Sequence, residues 1–119
     1  MLGPKVKAWR SRPYRMFVAT LDCFACGMPG RSQAAHANYG KGRGLKTDDR
    51  MCFPLCATLP MRVGCHDQHD QLIDMTLDER REREAVYVAR MQEIARGTIW
   101  RNVMPSIEGQ PTPDVAEAA

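Results

Sequence analysis

Four cysteines constrain this chain more than any other feature of it. Cys23 and Cys26 have two residues between them and are followed by Gly27; Cys56 comes thirty residues after Cys26, and eight residues separate it from Cys65. A two-residue gap lets both thiolates face one tetrahedral ion, and glycine accepts the tight turn that follows. A lone pair at this spacing also fits a redox motif, but no βαβ pattern surrounds it, and a second pair is present. The expectation is a structural zinc site made of Cys23, Cys26, Cys56 and Cys65. The fifth cysteine, Cys52, sits in the strand-like run 51–55, where a buried free thiol is the default.

A metal would answer a shortage. With 119 residues and 7% aromatics, the chain makes one small domain with a modest core. Domains of this size often take part of their folding free energy from a bound ion. The first residues run into charges rather than a long apolar segment, so neither a secretory signal nor a membrane span is expected. A reducing cytosol is the expected setting, in which clustered cysteines bind metal more often than they pair.

Charge is uneven. Residues 1–50 carry ten Lys or Arg against three acids, a balance of +7, and the remainder carries seven against eleven, a balance of −4. A basic half suits a polyanion such as nucleic acid, although an ordinary basic surface explains it as well.

The chain divides into four pieces. Residues 1–21 form a basic lead, from which Tyr14, Phe17, Val18 and Leu21 pack onto the core through a short helix. Residues 22–75 hold every cysteine, every histidine and six of nine glycines; a knuckle at 23–27 and strands near 33–37 and 51–55 are expected there. Residues 76–97 read as a helix over 76–96 that stops at Gly97. Thr76 and Glu79 make a capping box, and Tyr87, Val88, Met91, Ile94 and Ala95 make one apolar stripe. The charges between Asp78 and Glu84 read as a solvated face. The tail, 105–119, has Pro, Gly and small residues without apolar periodicity and is expected to be disordered.

The histidines interleave with the cysteines. His36 ends the first strand-like run, His66 directly follows Cys65, and His69 comes three residues later. If 64–74 is helical, His66, His69 and Asp70 share a face at i, i+3 and i+4. Each histidine alone is more often a hydrogen-bonded surface residue than a ligand.

The run CFACG…SQAAHANYGKGRGLKTDD…PLC…GCHDQHD resembles phage and prophage HNH nucleases of the Ref type, the RecA-dependent nucleases, and more distantly recombination endonuclease VII. The resemblance covers about residues 10–75. It implies an α+β fold: a small zinc-stabilised ββα-metal (HNH, His-Me finger) domain, here with an additional C-terminal helix. It also implies a bacterial cytosolic enzyme, phage or prophage encoded, that cuts DNA in recombination or under direction of a RecA-type filament. Carried over, His36 is the general base at the end of the first strand. Asp49 takes the middle, loop-ordering position, and His66 is a ligand of a catalytic divalent ion (Mg²⁺, Mn²⁺ or Zn²⁺). The family's pattern has Asp or His before the strand-end histidine as a second ligand, where this chain has Ala35. The ion then falls to His66 with His69 or Asp70, or to His36 itself.

The chemistry is hydrolysis of a phosphodiester. Imidazole titrates near neutral pH and can take a proton from water, while a divalent ion neutralises charge developing on phosphorus and on the leaving oxygen. The loop 40–46 adds Lys41, Arg43 and Lys46 as DNA contacts, against the plainer reading of a loop with solvated charges. The alternative is a non-catalytic zinc-ribbon module that binds nucleic acid or a partner protein. Oligomeric state is left open, since the stripe on the last helix fits packing in cis or a dimer equally.

Overall fold

A computed structural model describes residues 8–37 and 48–105 of the chain. The expected contacts from Lys41, Arg43 and Lys46, and the tail expected over 105–119 beyond its first residue, lie outside the described residues.

The elements follow from local chemistry. Helix α1 is Arg12–Ala19. Ser11 caps it by accepting the Tyr14 N–H at 3.2 Å, and Pro13 occupies the first turn, where a missing N–H costs nothing. Tyr14 and Val18, one turn apart, are buried, with Phe17 and Leu21 packed beside them as expected. Strands β1 (Ser32–His36) and β2 (Cys52–Cys56) pair antiparallel, Ser32 opposite Cys56 and His36 opposite Cys52. Pro54 interrupts nothing: its carbonyl points away from β1 and accepts the Phe24 N–H at 3.0 Å. Its nitrogen shares that outer edge, so no ladder bond is lost.

Every residue of β2 is buried, because the strand is covered on both faces. Helix α1 lies on one side. On the other, Phe53 packs edge-on to His69 at 5.7 Å and beside Tyr87 at 5.3 Å. Tyr87 comes from helix α3, Leu77–Arg96, which carries the expected capping box between Thr76 and Glu79. Its stripe buries Val88, Met91 and Ala95. The end of the described chain returns to α1. Trp100 meets the Tyr14 ring edge-on at 5.3 Å, the Tyr14 hydroxyl reaches the Met104 sulfur, and Arg96 donates to the Pro105 carbonyl. No helix among the described residues is long and apolar enough to cross a membrane.

Two expectations change. Helix α2 is short, Cys65–Asp70, rather than reaching residue 74. It ends in a Schellman arrangement: the Ile73 N–H bonds to Gln68 O and the Leu72 N–H to His69 O, with Leu72 at φ +56°. Glycine usually fills that left-handed position, and leucine gives no signal of it. The second change is Glu84. It is fully buried rather than on a solvated face, and its Oε2 meets His69 Nε2 at 2.9 Å.

Gly64 sets the spacing between β2 and α2. A Cβ built there lies 2.3 Å from the Ala57 carbonyl carbon and 2.5 Å from the Cys56 oxygen, so backbone would have to move. Gly64→Ala is expected to destabilise the fold by about 1–3 kcal/mol or more, as overpacking against rigid neighbours does. Thermal melts of the variant check this; an unchanged midpoint would contradict the close approach.

Candidate functional site

The knuckle brings Cys23 and Cys26 to the end of β2. The Gly27 N–H bonds to Cys23 O at 2.8 Å, and Gly27 takes φ +80°, the left-handed turn that its place after the CxxC anticipated. Cys56 ends β2, and Cys65 opens α2 on the far side of the Gly64 contact. The sulfurs of Cys23, Cys26, Cys56 and Cys65 all lie within 4.8 Å of one another, and Cys26 Sγ to Cys56 Sγ is 3.8 Å. Four sulfurs held about 2.3 Å from a central ion form a tetrahedron with edges of about 3.8 Å. The geometry therefore fits a four-coordinate ion.

Backbone amides are aimed at these sulfurs: Ala25 and Cys26 N–H at Cys23 Sγ, and Cys65 N–H at Cys56 Sγ at 3.3 Å. Such donors stabilise thiolates and orient ligands. The thiols respond unequally to their crowding. The Met28 amide, with Arg62, lowers the Cys26 thiol to about 6. Burial first, then neighbouring sulfur, pushes Cys65 far up, and burial raises Cys56. A cation at the centre removes that conflict by letting all four ionise together. Cys52 stands apart, fully buried, its thiol pushed up to about 12 by burial and by the Asp49 charge.

A second constellation lies on the α1 side of the hairpin. Asp49 follows Asp48 into a 3₁₀ turn, Asp49–Met51, and is fully buried. Its Oδ1 meets His36 Nε2 at 2.8 Å and Arg10 at 3.0 Å; its Oδ2 accepts from the Ser11 amide at 2.7 Å and from Arg15 at 2.5 Å. Its own amide donates to Trp9 O. Burial opposes the charge, but bonds from His36, Ser11 and Arg15, with the Arg10 charge, outweigh it and hold the carboxyl below its usual range. His36 and Asp49, far apart in the sequence motif, thus meet directly. Arg10 and Arg15 were not singled out by sequence; nothing distinguishes them there from the other cations of a basic lead.

Of the candidate ligands of a catalytic ion, His66 and Asp70 approach each other and His69 does not join them. His66 Nδ1 contacts Gln33 Oε1 at 2.8 Å, and its Nε2 lies 3.4 Å from Asp70. Gln33 and His36 are three residues apart on β1 and so point to opposite faces. His69, expected beside His66 and Asp70, is turned inward onto Glu84. The apolar contact with Phe53 and the buried carboxylate claim its ring. Among the described residues, the four cysteines are the one group of three or more His, Cys, Asp or Glu that converges for a metal.

A family model described as "Protein of unknown function (DUF968)" matches residues 1–76, a span that takes in all four cysteines, His36, Asp49 and His66. No curated protein and no solved structure matches the chain.

Two outcomes are expected. The purified protein carries about one tightly held metal ion per chain, Cys56→Ser holds it far less tightly, and Cys52→Ala keeps it with wild-type affinity. Elemental analysis decides, and metal-free protein with an unchanged melt would contradict the site. For Asp49, the sign follows from its depressed pKa. The stabilisation is complete above the unfolded value of about 3.9 and is lost as pH falls through the folded value. Asp49→Asn is therefore expected to lower the melting temperature, with a deficit that does not shrink between pH 8 and pH 5. A deficit that vanishes by pH 5 would contradict the assignment.

Proposed function

We propose, for a chain that belongs to the DUF968 family of unknown function, that it is a zinc-stabilised DNA endonuclease of the HNH type with His36 as general base. The His36–Asp49 pair carries this reading. A partly exposed imidazole stands at the end of β1, and a wholly buried carboxylate grips its Nε2. The order of elements, knuckle then β1, β2 and α2, is in keeping with a ββα arrangement. Zinc is the ion that four thiolates in tetrahedral array select for structure, since it is redox-inert and closes at four ligands.

The chemistry assigned to the chain's own residues is short. A carboxylate on Nε2 favours the tautomer with the proton there, leaving the Nδ1 lone pair to accept a proton from water. That water's oxygen forms a bond to phosphorus as the bond to the 3′ oxygen breaks, and the leaving oxygen is protonated from solvent. The HNH resemblance also calls for a catalytic divalent ion, Mg²⁺ or Mn²⁺. His69 is turned onto Glu84, so His66, His69 and Asp70 do not form its site together.

That lack of convergence favours a second reading, a zinc-ribbon module that binds nucleic acid or a partner without cutting it. A plasmid-nicking assay separates the two, run with Mg²⁺ or Mn²⁺, alone and with a recombinase filament, the partner that the resemblance suggests. Wild type is expected to nick, and His36→Ala to lose roughly 10²–10⁴-fold in rate while keeping its metal and its fold. Wild-type protein that binds DNA but never nicks it would support the module instead.

A further inference from the structure

The four converging cysteines are not equally reachable. Cys23 and Cys56 are buried and Cys65 is half-buried, while Cys26 is exposed. The difference follows from where each one sits. Cys56 ends a strand that is covered on both faces, whereas Cys26 lies in the knuckle turn between Cys23 and Gly27, ahead of β1. Cys26 is therefore the corner of the cluster that a small solute meets first.

The gap between Cys56 and Cys65, long for a zinc site, acts on the same corner. Leu59 and Arg62 close it into a tight turn, the Leu59 N–H bonding to Arg62 O at 2.8 Å and the Arg62 N–H to Leu59 O at 3.1 Å. That turn sets the Arg62 guanidinium over the knuckle, where it donates to Cys26 Sγ at 3.3 Å and to Met28 Sδ at 3.5 Å. A permanent cation beside a solvent-facing sulfur is the setting in which thiolates persist and react. The Cys56 sulfur is shielded from solvent but stands 3.8 Å from Cys26 Sγ. A disulfide needs about 2.05 Å, so a movement of about 2 Å joins the two. An accessible thiolate with a second one in reach is the arrangement that thiol oxidation uses.

We propose that Cys26 is a modification site for small hydroperoxides, resolved by Cys56, and that its oxidation expels the ion from the four-cysteine site. In the first step the Cys26 sulfur bonds to a peroxide oxygen as the O–O bond breaks, giving a sulfenic acid and hydroxide. In the second, the Cys56 thiolate bonds to the Cys26 sulfur as the S–O bond breaks, releasing a second hydroxide. The two sulfurs together lose two electrons, the peroxide gains them, and solvent protons turn both hydroxides to water. Cys23 and Cys65 alone then face the ion, and two ligands do not close a tetrahedral site. A thiol reductant reverses the step by exchange. The inference rests on the four-cysteine metal site and on neither reading of what the chain does to DNA.

The metal-loaded full chain, treated with hydrogen peroxide beside a chromogenic zinc chelator, tests this, with the products mapped by peptide mass spectrometry. Release of about one ion per chain, in step with a Cys26–Cys56 disulfide and reversed by dithiothreitol with added zinc, is the expected result. Dimedone, which traps sulfenic acids, is expected to label Cys26 before any other cysteine. A first label elsewhere, or a disulfide that omits Cys26 or Cys56, overturns the assignment. Met61, 97% exposed, gauges the dose within the same molecule. A chain that keeps its ion while Met61 is fully converted to the sulfoxide overturns the proposal. Cys52→Ala leaves the cluster intact and is expected to release its ion as wild type does; a variant that resists peroxide would assign the oxidation to Cys52 instead. The metal site and the switch fail separately. A purified chain without an ion removes both, whereas a loaded chain that resists peroxide loses only the switch.

Discussion

The convergence of four cysteine sulfurs is the contact on which the rest of this fold depends. The sheet has two strands of five residues each, too little to stand alone in water. Cys23 and Cys26 bring the knuckle to the end of β2, and Cys65 brings the start of α2 to the same point. Gly64 permits the last approach by letting backbone touch backbone. A small core of short elements is thereby closed at one end by four sulfurs within 4.8 Å of one another, a spacing that fits a bound ion.

Asp49 does the corresponding work on the other side of the hairpin. Through its side chain and amide it gathers Trp9, Ser11, Arg10, Arg15 and His36, so the basic lead is fastened across β2 rather than trailing from it. The charge costs free energy to bury, and hydrogen bonds from two permanent cations offset that cost. One consequence is that Arg10, Arg15 and His36 stay partly exposed while their common anchor is hidden.

How legible all this was in the sequence depended on whether a feature was local. The knuckle, the strands to within about a residue, the α3 cap and its apolar stripe come from spacing and capping chemistry, which act over a few residues. The convergence of the four cysteines was legible because cysteine has few other uses in such a pattern. His36 and Asp49 were picked through family resemblance, and their direct bond could not be read from thirteen residues of separation. His69 misled because helical periodicity gave it a face without saying which neighbour would cover it. Glu84 looked like one more charge on a polar helix until His69 was placed beneath it. The early end of α2 had no glycine to announce it, and Arg10 and Arg15 were indistinguishable from ordinary basic surface.

X-ray absorption at the zinc edge of the purified protein tests the central claim most directly, because it reads the ligand atoms and their distance without relying on activity. Four sulfur scatterers at about 2.3 Å, reduced to three when Cys65 is replaced by serine, are the predicted result. A first shell rich in nitrogen or oxygen, or protein that folds fully without metal, would contradict the account.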